Sequence, residues 1–203
     1  RALGGRLPGA RWRLVDADPA LLAAAARPGV ETACVDLSEA LEAEVAGADL
    51  VTASALIDLA APDWIERLAA AVPPSAALYV ALSYDGREVW SPRPPHEGEA
   101  LAAFHRHMRG GKGLGAGAAA GPEATACLAA ALAARGRRVQ IAPSPWRLGP
   151  ETASLRAALA EGAARAVTET GALGPGAFAA WSEGRARAEV AEIGHLDLLS
   201  LPG

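Results

Sequence analysis

Two aspartates carry the first chemical signal. Asp16 closes the apolar run "RWRLVD" and is followed by Asp18-Pro19; Asp36 closes "ETACVD", twenty positions further on. A carboxylate at the end of a buried strand is costly unless something pairs with it. Once ionised it only accepts hydrogen bonds. One such acid suits the two hydroxyls of a ribose, and a second, on the next strand end, suits the amino group of an adenine. Each also has a simpler role open to it, as a turn or helix-cap residue. Repetition in two successive strand–helix units favours the nucleoside site.

Other residues offer chemistry with a plainer alternative beside it. Asp58 follows a strand by a few residues and is placed to orient a substrate, to act as a general base, or to cap a helix. His105 and His107 form a His-x-His, but residues two apart on a helix point to different sides and do not share a metal. His105 and Arg109 do share a face. With Arg106 and Lys112 they make a basic cluster, either a solvated helix face or part of a lid that attracts an anionic substrate. Tyr84 and Asp85 end the run "LYVALSYD" and are placed to contact a substrate. Trp146 and Arg147, in "SPWRL", either line the same site or belong to the core. "GLGAG", Gly113 to Gly117, follows a charged helix end and not a buried strand, so it is no nucleotide turn. Cys34 and Cys127 lack Cys-x-x-Cys spacing and are expected as buried reduced thiols. Trp64 and Trp181 read as core, and His195 as structural.

These residues need a scaffold. Strands are expected at 12–16, 30–35, 49–53, 76–84, "RRVQIA" and "HLDLLSLP". Helices are expected from Pro19 (capped by Asp18), Ser38, Pro62, Glu99 and Pro122, then over 150–170 and 175–191. "GGKGLGAGAAAGP" reads as a mobile loop. Alternating strands and helices argue an α/β fold with a mostly parallel, doubly wound sheet. The 203 residues fit one domain, and the net charge of −4 argues against a nucleic-acid face. No apolar run is long enough for a bilayer and no signal-peptide pattern opens the chain, so a cytoplasmic protein is expected.

"LVDADPALL", "ETACVDLSEAL", "ADLVTASALIDL" and "AALYVAL", in that order and spacing, resemble the class I S-adenosylmethionine-dependent methyltransferases. The resemblance covers nearly the whole chain. It implies a Rossmann-like sheet of seven strands with a closing antiparallel pair, "RRVQIA" and "HLDLLSLP". It places Asp16 on the ribose hydroxyls and Asp36 on the adenine amino group, with the Leu37 backbone N–H facing the ring. Ser54 and Ala55 would border the methionine part of S-adenosylmethionine. Segment 91–121 would be an insertion shaping the acceptor pocket, with Tyr84, Arg109, Lys112, Trp146 and Arg147 toward the acceptor. Asp58 and His105 are the candidates for catalysis. One departure stands out: the family's first strand and its glycine-rich turn would precede residue 11, where "RALGGRLPG" looks like the end of the following helix. The single domain, 1–203, is therefore expected to be incomplete at its N-terminus. The expected function is methyl transfer to a small-molecule acceptor, with no nucleic-acid or membrane partner. Two rivals remain: an NAD(P)-dependent Rossmann oxidoreductase, and a non-catalytic methyltransferase-like subunit that binds a protein.

Overall fold

The computed structural model describes residues 6–203. It is an α/β fold, with seven strands and seven α-helices among the described residues. Strand β1 (Trp12–Asp16) leads to helix α1 (Pro19–Ala25), and β2 (Val30–Cys34) leads to α2 (Leu37–Val45). β3 (Leu50–Ser54) ends in a 3₁₀ turn at Ile57–Leu59 before α3 (Pro62–Ala71). The long β4 (Ala77–Ser91), α4 (Glu97–Met108) and α5 (Ala124–Ala133) follow. The chain closes with β5 (Arg138–Pro143), β6 (Trp146–Leu148), α6 (Ala153–Thr170), α7 (Pro175–Arg187) and β7 (Val190–Leu201).

The strands form two ladders. β1 and β2 pair in parallel, from Trp12↔Val30 to Asp16↔Cys34. The larger sheet has the order β3-β4-β7-β5, with β6 also on β7. β3 and β4 are parallel, while β4, β5 and β6 each pair antiparallel with β7. Within this sheet β7 alone therefore runs against the others, and the expected antiparallel closing pair is β5 with β7. Among the described residues no ladder joins β1 to β3.

Local chemistry explains the elements. Asp18 caps α1, its carboxylate accepting from the Ala20 and Leu21 N–H groups at 2.7 and 3.4 Å, and Pro19 fills the first helical position. In α3 the residues Trp64, Ile65, Leu68 and Ala69 recur on one face and are buried. They pack with Leu41, Leu128, Leu132 and the sheet residues Leu78, Val80 and Leu198 in the main core. A second core joins Tyr84, Trp90, Met108 and Ile193, and a third joins α4, α6 and α7 around Trp181. The β1–β2 unit is held to the rest through α2. Trp64 Nε1 donates to the Leu37 carbonyl at 2.9 Å, and Arg67 makes two 2.9 Å bonds to the Glu42 carboxylate.

Several expectations need correction. β4 runs past Tyr84 to Ser91, because bulges at Val80/Ser83 and Tyr84/Glu88 let one strand serve two cores. β7 begins at Val190, so His195 lies inside it and not at its start. Cys34 is exposed, because among the described residues β2 has a strand on one side only, and Cys127 is partly buried. The glycine-rich loop is tied down at three points. Ala61 N–H donates to the Leu114 carbonyl (2.7 Å), Ala120 N–H to the Ala60 carbonyl (2.8 Å), and Ala116 N–H to Asp63 Oδ2 (2.9 Å). Residues 6–9 form turns, and the rest of the stretch read as a helix end lies outside the described residues. No helix among the described residues is long and apolar enough to cross a membrane.

Candidate functional site at the carboxyl ends of the strands

Asp16 and Asp36 reach the same sheet edge. Parallel pairing brings Asp16 beside Cys34, and the Val35 N–H donates to the Asp16 carbonyl at 3.0 Å, so Asp36 follows directly. Each acid shapes its own turn through one oxygen. Asp16 Oδ1 accepts from the Asp18 N–H at 2.8 Å, and Asp36 Oδ1 accepts from the Ser38 N–H at 2.8 Å as the cap of α2. The Ser38 backbone, then its hydroxyl, hold the Asp36 carboxyl below the usual range. Among the described residues Asp16 Oδ2 accepts no hydrogen bond, whereas the Asp36 carboxyl is held by both the backbone and the hydroxyl of Ser38. For Asp16 the turn role and a ligand role are thus compatible, one oxygen for each. Leu37 opens α2, where the first N–H groups of a helix lack intrahelical partners.

A second group gathers where β3 and β4 end. Ser54 and Ala55 are exposed, and Ala55 holds φ +50° while its N–H continues the ladder to the Ala81 carbonyl at 3.0 Å. Leu82, in the β4 bulge, holds φ +56°. Side chains rarely adopt this region, and such strain collects at functional sites. Asp197 fastens the bulge: its Oδ1 accepts from the Leu82 N–H (3.0 Å) and the Ser144 hydroxyl (2.6 Å), and its Oδ2 from the Tyr79 hydroxyl (2.5 Å). Burial pushes the Asp197 carboxyl up, but these bonds and the nearby His195 outweigh it and hold it low.

Asp58 lies in the 3₁₀ turn after β3 and caps neither that turn nor α3, which removes the capping alternative. It is 8% exposed, and its Oδ1 is buried without a partner. Burial raises its pKa, opposed by its own backbone N–H and by the field of His195. His195 stands opposite Tyr84 in the β4–β7 register, with the Trp146 ring 4.9 Å away and the Tyr84 ring 6.3 Å away. The Ser83 hydroxyl is a further buried group without a partner.

The remaining candidates divide. Tyr84 is buried, and its hydroxyl meets Glu88 Oε1 and His105 Nε2, both at 3.1 Å. Burial first, then Glu88, push the Tyr84 hydroxyl far above its ordinary range. His105 is pushed down by burial and by Arg109, against the pull of Glu88 and the Gly86 backbone. Arg109 lies 3.7 Å from Glu123, Lys112 is exposed, and Arg147 turns to Glu192 at 3.2 Å. The basic cluster is therefore spread out and not focused on Asp58. Sequence reasoning missed the ion triad behind Tyr84. Arg185 pairs with Glu88 (2.7 Å) and Glu97 (2.5 Å), lies between the Trp90 and Trp181 rings at 4.5 and 5.0 Å, and is 2% exposed. Its members come from β4, α4 and α7, and no local spacing links them. Asp197 sits in "HLDLLSLP", where the alternation of polar and apolar residues was the only hint.

No group of metal-ligating side chains occurs among the described residues. No protein-family model matches the chain, and no curated protein matches it.

Proposed function

We propose that the protein transfers a methyl group from S-adenosylmethionine to a small-molecule acceptor. One observation carries this reading: Asp16 ends β1 and Asp36 follows the end of its parallel neighbour β2, so two carboxylates stand at one sheet edge, each bonded to its own turn through Oδ1. Such carboxylates fit a ribose diol and an exocyclic amine, in the crevice beyond the carboxyl ends of an open sheet. The antiparallel pairing of β5 with β7 supports a methyltransferase over a nicotinamide-dependent dehydrogenase. The resemblance puts the family's first strand between β1 and β3, and each of these has an unpaired edge among the described residues.

On this reading Asp16 holds the ribose hydroxyls, Asp36 accepts from the adenine amino group, and the Leu37 N–H faces the ring. Ser54 and Ala55 would border the methionine portion, Ala55 with its backbone at φ +50°. When bound, the cofactor supplies a methyl carbon activated by its sulfonium, so the residues mainly orient the acceptor and exclude water.

Calorimetric titration of the protein with S-adenosylhomocysteine and, separately, with NAD tests this. The expected result is binding of the first only. Asp16→Ala should weaken it about 10- to 100-fold, the worth of charge-assisted hydrogen bonds to a diol. Binding of NAD alone, or of neither ligand, overturns the reading.

A further inference from the structure

We propose that the protein is a twofold dimer in which β5 pairs antiparallel with β5 of a second copy, seating Arg138 of each chain against Asp197 of the other. β5 is the last strand of its sheet, and its outer edge is unpaired among the described residues. Five of its six residues are exposed, Ile141 by 47%. Its register with β7 has no bulge, its one charge is Arg138, and its one proline is the terminal Pro143, so little guards the edge against a further strand. The inner ladder fixes which backbone groups point outward. The Ser144 N–H donates to the His195 carbonyl at 2.8 Å, so the even-numbered residues of β5 turn their backbone groups toward β7. Val139 and Ile141 turn theirs outward, as does Pro143, which has no N–H to offer. Antiparallel pairing of this edge with itself must then set odd residues against odd. Centring on Ile141 sets Val139 against Pro143 and loses a donor. Centring on Val139 sets Ile141 against Arg137, whose N–H already serves the Leu132 carbonyl at 3.2 Å. Centring on Gln140 sets Val139 against the partner's Ile141, bonds all their outward groups, and leaves the two residues without a free N–H opposite each other at the ends.

That register also matches charge. Gln140 meets its own copy on the axis, and Arg138 lies opposite the partner's Ala142, which is itself opposite Asp197 on β7. Facing residues of a ladder share a side of the sheet. Arg138, the partner's Ala142 and the partner's Asp197 therefore form one row, about 10 Å between the outer Cα atoms. Among the described residues neither Arg138 nor Asp197 makes an ion pair. Arg138 Nε donates to the Pro202 carbonyl at 3.1 Å, which leaves both Nη groups to bond elsewhere. Asp197 accepts two bonds at Oδ1 and one at Oδ2, which leaves an acceptor site on Oδ2. A cavity of about 210 Å³ opens beside it, lined by Tyr79, Gln140, Ile141, Ala142, Asp197 and Leu199. The partner's Arg138 enters this cavity across the small Ala142 side chain. Twofold symmetry makes the contact twice, with an apolar Val139–Ile141 pair on the other side of the sheet.

Sedimentation velocity across about 1–100 μM protein should show a monomer–dimer equilibrium. Ile141→Lys, at an exposed position, and Arg138→Glu, which sets like charges together at Asp197, should each weaken the dimer about tenfold or more. Circular dichroism checks that both variants fold. Gln140→Cys, in a Cys34→Ser, Cys127→Ser background, should oxidise to a disulfide-linked dimer, because facing Cα atoms at a non-hydrogen-bonded position lie about 4.5 Å apart. Ala142→Cys in the same background should not, because it faces Arg138. A monomer at about 100 μM, whatever else covers the edge, overturns the proposal. So does a dimer that both edge variants leave intact, or linkage through Ala142→Cys in preference to Gln140→Cys. None of these readouts involves methyl transfer, so the dimer and that reading stand or fall separately.

Discussion

Four aspartates show how one side chain takes different roles from its surroundings. Asp18 is exposed and caps α1, so Asp18→Ala should cost about 1 kcal/mol of stability, measured by urea denaturation. Asp197 carries three donated hydrogen bonds that hold its pKa below the ordinary 3.8. Its contribution is present above that value and is lost as pH falls through the lowered one. Asp58 has the opposite sign. Burial raises its pKa above 3.8, so the folded state binds the proton more tightly than the unfolded chain. Stability from this group is full below 3.8 and falls as pH rises through the raised value. Asp58→Asn should therefore raise the thermal midpoint near pH 7 and leave it little changed near pH 3. A midpoint that drops at pH 7 would count against an unpartnered carboxylate there. Asp16 divides its oxygens between turn and ligand, so the Asp16→Ala titration belongs at this scale too.

Elements in this protein are held by devices that reach across the sequence. Loop 113–120 is fixed against the start of α3, and Gly115 is what lets it approach. Gly115 has φ +93°, and a Cβ there would sit 3.0 Å from the Cβ atoms of Ala61 and Trp64 and would run into the Asp63 carboxylate. Gly115→Ala should cost about 2 kcal/mol, seen as a lower urea midpoint, through both strain and overpacking. β4, α4 and α7 are joined by Arg185 between Glu88 and Glu97. Arg185→Met leaves two carboxylates buried without a cation and should cost about 3–5 kcal/mol. Combining it with Glu88→Gln and Glu97→Gln should recover part of that loss, a non-additivity measurable in the same denaturation series.

At the scale of the molecule, the two ladders differ in how much they bury. In the segment from β1 to β2 only Leu22 is fully buried, whereas β4 and β7 carry Leu78, Val80, Tyr84, Ile193, His195 and Leu198 inside. α2 alone reaches the main core, with Leu41 and Val45. Amide hydrogen exchange should therefore be faster in β1 and β2 than in β4 and β7 by a factor of about 100 or more. S-adenosylhomocysteine should slow exchange in β1 and β2 preferentially, because its proposed contacts lie at their ends. Equal protection across both ladders would contradict this division.

Local pattern alone determined much here. Asp18-Pro19 announces α1, the apolar spacing of Trp64, Ile65 and Leu68 announces the buried face of α3, and the runs ending at Asp16 and Asp36 announce two parallel strands. Caps, turn residues and hydrophobic period act over a few residues, so sequence carries them directly. Tertiary structure alone decided the rest. It extended β4 to Ser91, tied down a loop that composition made look mobile, and set Arg185 between Glu88 and Glu97. It also brought Tyr84 opposite His195, 111 positions away, by pairing β7 with β4. Such groups meet only through strand register and helix packing, whose energies depend on partners distant along the chain.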